Sequence, residues 1–291
     1  MSASAAGHIL ENHHDPTPPT VEILAIGNEL LRGEILDTNT QWLCRLVTAR
    51  GGRVGRVTLL ADVEAEIADA VRAAIERGVA VLFTSGGLGP TDDDLTLAAV
   101  ARGAGVELVL NEQARAMVRA SYDDFHARGI IAEPGLNPFR EKMARLPAGA
   151  EPLVNPVGTA PGVLLRAGGT AIISLPGVPP ELEAIVSRTL APFLDRTFGS
   201  GASASRLLTV RCNDESIMAP ALTGVVARHP RVYIKSLARA LGEVPELDIL
   251  LLATGGDPQE LQSLVDAACV DLCQGLDALS IPHRPKAAPT P

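Results

Sequence analysis

Residues 84–96 read Thr84-Ser85-Gly86-Gly87-Leu88-Gly89-Pro90-Thr91-Asp92-Asp93-Asp94-Leu95-Thr96. The apolar run Val79-Ala80-Val81-Leu82-Phe83 before them has the composition of a buried strand, expected over 79–83. After them, Leu95, Ala98, Ala99 and Ala101 open an alanine-rich helix. A strand that ends in a glycine turn and feeds a helix N-terminus exposes backbone N–H groups, to which the helix dipole adds partial positive charge. Glycine lets that backbone approach an oxyanion without a Cβ in the way. Three successive aspartates change the reading. One carboxylate is stabilised at a helix start, but three beside a phosphate cradle repel the phosphate unless a divalent cation lies between them. Taken alone, the glycines also fit a plain tight turn, with Asp92 or Asp93 as the helix cap. The string is not a P-loop, because no Gly-Lys-Ser/Thr follows, and it lacks the G-x-G-x-x-G spacing of a dinucleotide fingerprint.

Working outward, the pattern alternates. Strands are expected over 21–26 and 54–60, and helices over 38–50 and 64–77, the latter with Ile67, Val71 and Ile75 on one face and Asp62 as its cap. Repeated units of this kind imply an α/β domain with a mostly parallel sheet and helices on both faces. Ligands on such sheets gather at the carboxyl ends of the strands, where Gly27–Glu29 and the aspartate loop both fall. Residues 111–146 read as largely helical, interrupted at 129–137. Residues 153–175 read as a hairpin turning at Ala167-Gly168-Gly169. Pro179-Pro180-Glu181 then starts a helix to about residue 197. A flexible joint, Phe198-Gly199-Ser200-Gly201-Ala202-Ser203, separates the 21–198 domain from a small α+β domain over 205–281. That domain has strands at 206–210, 232–235 and 247–253 and helices at 214–228 and 258–276. Residues 1–20 and the proline-rich 282–291 read as disordered tails.

Length, at 291 residues, suggests two domains. The net charge of −9, with Lys142, Lys235 and Lys286 the only lysines, argues against a nucleic-acid partner. No apolar run spans a bilayer and no secretory signal opens the chain, so a cytoplasmic protein without a membrane partner is expected. Cys269 and Cys273 sit at i, i+4 without further ligands and read as buried apolar residues. Arg140 and Lys235 are candidate phosphate cations. No serine or cysteine has the spacing of a nucleophilic triad.

Gly-Gly-Leu-Gly-Pro-Thr-Asp-Asp-Asp-Leu-Thr resembles the signature of the CinA N-terminal family, within the MoaB/Mog/MoeA molybdopterin-binding superfamily. Three further stretches match in order: Gly27-Asn28-Glu29-Leu30-Leu31 with Gly33 and Asp37-Thr38-Asn39, then residues 155–162, then Leu175-Pro176-Gly177-Val178-Pro179 with Glu181. The resemblance implies a three-layer MoaB/Mog-like fold, a homodimer, and a small phosphorylated ligand, either nucleotide or pterin. The amidohydrolase domain of longer members is expected to be absent. It further implies divalent-metal-dependent hydrolysis of a nucleotide diphosphate such as ADP-ribose or FAD. The alternatives are molybdopterin binding in cofactor assembly and a catalytically silent binding module. Asp94 and Asp37 are the expected catalytic acids, and Asp92 with Asp94 the ligands for Mg, Mn or Co. The ligand is expected to touch Gly27, Asn28, Glu29, Asn39, Gly86, Gly87, Leu88, Gly89, Pro90, Thr91, Thr96, Gly158, Thr159, Pro176 and Gly177.

Overall fold

The computed structural model describes residues 18–198, 202–212, 214–237 and 246–286. Six strands form one sheet: β1 (Thr20–Ile26), β2 (Arg53–Leu60), β3 (Val81–Ser85), then β6 (Glu151–Leu153), β7 (Gly162–Ala167) and β8 (Thr170–Leu175). Their order is β2-β1-β3-β8-β7-β6. The first four are mutually parallel; β7 runs antiparallel to β8, and β6 antiparallel to β7. Helices α1 (Asn28–Leu31), α2 (Thr38–Ala49), α3 (Glu64–Glu76) and α4 (Thr96–Ala104) lie in the connections of the parallel part. A short ladder of β4 (Leu108–Leu110) and β5 (Arg145–Pro147) brackets α5 (Glu112–Ala127) and α6 (Pro138–Lys142). Helices α7 (Pro179–Ala184) and α8 (Ala191–Phe198) follow, joined by a π-helical turn at Ile185–Thr189.

Side-chain alternation sorts this into three layers. Val21, Ile23, Val81, Phe83 and Ile173 share a core with Leu43 and Val47 of α2 and with Leu182 of α7. Leu24, Leu82 and Ile172 point to the other face, against Ile67 and Val71 of α3, Val100 of α4 and Val118 of α5. β3 and β8 are buried along their whole length, as a sheet covered on both faces requires. The α/β expectation holds.

Several boundaries differ from the sequence reading. The third strand is displaced to Val81–Ser85, because the parallel ladder pairs Val21 with Val81 and Ala25 with Ser85. Residues 145–146, read as the end of a helix, belong instead to β5, which pairs with β4. The helix expected through residue 197 is broken by the π turn. The hairpin turn is as expected, with Gly168 and Gly169 both at positive φ (56° and 85°), the geometry of a two-residue turn. Of the tail expected over 1–20, residues 1–17 lie outside the described residues, and Thr20 opens β1. Residues 199–201 of the expected joint also lie outside them.

Beyond the joint, β9 (Ser203–Arg211), α9 (Glu215–Arg228), β10 (Tyr233–Leu237), β11 (Glu246–Thr254) and α10 (Pro258–Ala278) build the α+β unit around its own core. The tail expected at 282–291 is wrong over its first part: β12 (His283–Lys286) adds an edge strand to β9. It lacks apolar periodicity and is held by its ladder and its charges. Lys286 Nζ donates to Asp248 Oδ2 at 2.7 Å, and Arg284 pairs bidentately with Glu246. The Asp248 side chain is only 7% exposed, whereas Lys286 is 38% exposed. Lys286→Met is therefore expected to destabilise this unit by about 1–2 kcal/mol, discounted for solvent screening. Urea unfolding checks this, and an unchanged midpoint would contradict the role given to Lys286. Cys269 and Cys273 pack against the same core, and burial pushes the Cys273 thiol up to about 11, which keeps it protonated and inert.

Candidate functional site

A cleft of about 600 Å³ opens at the carboxyl ends of β1, β3 and β8. Its floor is the turn after β3. Gly86 adopts φ 106° and Gly87 φ 68°, both in the region that favours glycine. Gly86 donates its N–H to Leu175 O at 3.0 Å, which ties the turn to the end of β8. A Cβ on Gly86 would lie 2.2 Å from Ile26 O, and one on Gly87 would lie 2.3 Å from Thr96 Oγ1. Thr96, fully buried, closes the turn from below by donating its hydroxyl to Gly86 O (2.8 Å) and its N–H to Gly87 O (3.2 Å). Its role is to hold the turn's shape, and it does not line the cleft.

The aspartates divide. Neither Asp92 nor Asp93 caps α4, whose N-cap residue is Leu95 and makes no side-chain cap. Asp94 folds back on the loop, with Oδ2 accepting from Thr91 N–H at 2.8 Å and lying 2.7 Å from Thr91 Oγ1. The same hydroxyl lies 2.5 Å from Asp93 Oδ1, so its single proton serves one carboxylate at a time. Hydrogen bonds from Thr91 and from its own backbone, with Lys142 nearby, hold the Asp93 carboxyl below its usual range. Lys142 at the end of α6 donates to Thr91 O. Asp93 and Asp94 line the cleft; Asp92 and Thr91 do not.

On the β1 side, Gly27 and Glu29 line the cleft, and the Glu29 carboxylate curls over Gly27, where a Cβ would meet Oε1 at 2.4 Å. Asn28 does not line it; its N–H donates to Asp62 Oδ2 at 2.8 Å. Asp62 is thus not the cap of α3 that the sequence suggested. Val63 holds that position, and Asp62 lines the cleft instead. Asp37 caps α2 by accepting from Thr40 N–H at 2.9 Å and also borders the cleft. The cap contributes about 0.5–2 kcal/mol. Burial of Leu43 and Val47 contributes about 1.5–3 kcal/mol each, so packing rather than the cap holds α2. Asn39 is buried and donates to Ser85 Oγ (3.0 Å) and Gly177 O (2.7 Å), which joins α2 to the ends of β3 and β8.

The third wall is residues 155–162 with the start of α7. Thr159, Pro176 and Gly177 line the cleft; Gly158 lies behind, its N–H bonded to Asn155 Oδ1 at 2.9 Å. Leu88, Gly89 and Pro90 complete the lining of the expected set. Glu181 also lines it, and burial raises its carboxyl pKa, partly opposed by a hydrogen bond from Asn155. Neither proposed cation reaches the cleft. Arg140 spends its guanidinium on the carbonyls of Glu133, Pro134 and Gly135 and lies 4.0 Å from the centre of the Tyr122 ring. Lys235 belongs to β10 in the small unit.

The cleft's electrostatics follow. Glu29, Asp37, Asp62, Asp93, Asp94 and Glu181 face it, and among the described residues no lysine, arginine or histidine lines it. Two unit charges 4 Å apart interact by about 4 kcal/mol at an effective dielectric of 20. An anion here would be opposed by these carboxylates unless the turn's N–H groups or a cation offset them. Among the described residues no three acidic, histidine or cysteine side chains converge as a metal cage. The donor set suits a hard cation that enters with a phosphate, held by one or two carboxylates.

Residues 22–196 match the family model described as "Probable molybdopterin binding domain". The chain belongs to this family. Relatives include a protein from Pyrobaculum calidifontis, 41% identical over 257 residues (88% of this chain and 95% of the relative). Another, from Pyrobaculum aerophilum, is 42% identical over 247 residues (84% and 90%). Among solved structures, CinA of unknown function from Thermoplasma acidophilum aligns with a TM-score of 0.54 and 36% identity, covering 60% of this chain and 98% of that one. The 84–96 motif and the comparisons agree on this family. No helix among the described residues is long and apolar enough to cross a membrane.

Sequence reasoning missed Asp62 and the Asn155–Glu181 pair as parts of the site, and Lys142 as a brace on the aspartate loop behind it. Asp62 had no signal beyond an acid before a helix. Glu181 stood inside a quoted motif, but its half-buried position is a tertiary fact.

Proposed function

We propose that the cleft binds a phosphorylated pterin of the molybdopterin type, its phosphate on the Gly86–Gly87 turn. The observation that carries this is the turn itself: positive φ at both glycines, no room for a Cβ, and a place at the carboxyl ends of three strands. The family description supports the pterin. A homodimer, implied by the resemblance, and a cytoplasmic location belong to the same proposal.

One observation favours a second reading, divalent-metal-dependent hydrolysis of a nucleotide diphosphate such as ADP-ribose or FAD. It is the six carboxylates around a cleft that no basic side chain among the described residues lines. Bound Mg²⁺, Mn²⁺ or Co²⁺ would lower the pKa of a water and polarise a phosphorus–oxygen bond. Asp94 is the residue to hold it: Oδ2 is fixed by Thr91, while Oδ1 has no hydrogen-bond partner among the described residues. Asp37 borders the same space, and Asp92, outside the lining, drops from the ligand set.

Calorimetry with neopterin monophosphate and ADP-ribose, with each metal or excess chelator, separates the readings when paired with an assay for released AMP. Neopterin monophosphate is expected to bind without turnover of ADP-ribose, and the metal to tighten it by about 5- to 150-fold. Equal affinity in chelator would remove the cation from the site. Metal-dependent AMP release that disappears in Asp94→Asn would put hydrolysis first.

A further inference from the structure

One polar group in the cleft is not used by the phosphate turn. Glu181, in the first turn of α7, is half-buried on the wall beside Thr159 and Ala160. Its Oε2 accepts a 2.6 Å hydrogen bond from Asn155 Nδ2. Asn155 is itself fixed: Nδ2 also donates to Ala160 O at 2.9 Å, and Oδ1 accepts from the N–H groups of Val157 (3.2 Å) and Gly158 (2.9 Å). Gly158 packs so closely on the carboxyl that a Cβ there would lie 2.1 Å from Oε2. The carboxyl is thus oriented before any ligand arrives, and Oε1 has no hydrogen-bond partner among the described residues. An ionised carboxylate only accepts, and its two oxygens match two adjacent donors on one planar edge.

We infer that Glu181 reads the heterocycle of the ligand, accepting from the ring N–H and the neighbouring exocyclic amino group of a 2-amino-4-oxopyrimidine. That edge is shared by pterins and guanine. Adenine instead presents a ring lone pair beside its amino group, which a carboxylate repels. Hypoxanthine keeps the ring N–H but has no amino group. The inference rests on the phosphate-binding reading above and narrows its ligand class: guanine-like edges are accepted and adenine-like edges refused. Discrimination of this kind is strong, because the wrong edge leaves a partly buried charge without its donors.

The test is calorimetry on the full chain with neopterin monophosphate, GMP, IMP, AMP and inorganic phosphate, on wild type and Glu181→Gln, with a thermal melt of each. In wild type, neopterin monophosphate and GMP are expected to bind about 10- to 100-fold more tightly than AMP, with IMP between them. Glu181→Gln, whose amide offers one acceptor and one donor, is expected to bring the GMP-to-AMP ratio within about threefold. Equal binding of AMP and GMP by wild type overturns the inference, as does a Glu181→Gln variant that weakens both by one factor. Inorganic phosphate reports the turn alone. If it binds while the heterocycles are not distinguished, only the edge reading fails; if no compound binds, the phosphate reading falls and this one with it. Should the variant not fold, the wild-type series decides by itself.

Discussion

Gly86→Ala is expected to abolish binding of phosphorylated ligands and to destabilise the N-terminal unit by about 2–6 kcal/mol, from backbone strain and overpacking of about 1–3 kcal/mol each. Two causes coincide at this residue. Its φ of 106° is one an L side chain rarely adopts, and the new Cβ would press on Ile26 O at 2.2 Å, a backbone atom of β1 that cannot step aside. Relief requires β1 and β3 to separate where the cleft is built. Gly149→Ala is the matched control: its φ is 82° with nothing within 4 Å of the Cβ, so strain of about 1–2 kcal/mol is all that is expected. Thermal and urea unfolding of both variants, with a phosphate titration, measures the difference. A Gly86→Ala protein as stable as Gly149→Ala that still binds phosphate would show that the turn is not the cradle.

Asn155→Ala is expected to cost about 2–4 kcal/mol, because four hydrogen bonds converge on one side chain and three of them are shielded in part from water. The loss has a predicted pH dependence. Burial already holds the Glu181 carboxyl above its usual range, and the Asn155 bond opposes that shift. Without it the folded-state pKa rises further. A carboxyl raised in the folded state contributes stability that is present at low pH and lost as pH rises through its folded value. The deficit of Asn155→Ala relative to wild type should therefore be larger near neutrality and shrink as pH falls through the Glu181 transition. Urea unfolding across that acid range reads it directly, and a deficit independent of pH would detach Asn155 from the Glu181 charge.

How much of this was legible in the sequence depends on how local each cause is. The glycine turn was readable because its chemistry is contiguous: a strand, a turn that tolerates positive φ, and a helix start within thirteen residues. The layers were readable because Ile67 and Val71 repeat at helical spacing and the run over 79–83 is apolar throughout. The displaced β3 was not, since Thr84 and Ser85 become strand only by pairing with Leu24 and Ala25. Asp62 is the clearest case. Its position favours a helix cap, yet the N–H of Asn28, from another connection, claims it. β12 was missed for a related reason, because its partners β9 and β11 lie far back in the sequence and its own residues carry no apolar stripe. The aspartate loop was half legible: the need for a counter-charge was plain, but the share of Lys142 and Thr91 in answering it was not.

The cleft takes its floor from the ends of β1, β3 and β8, joined where Gly86 meets Ile26 and Leu175. These strands are parallel and their segments are distant in sequence, so each pairing closes a long loop, and such contacts form slowly and late in folding. A chain that has made only one βαβ unit holds part of the turn and no binding site. Ligand binding is consequently a reporter of the finished topology: a ligand seated there can recognise only the fully wound sheet, and it slows the chain's escape from that state rather than guiding its arrival.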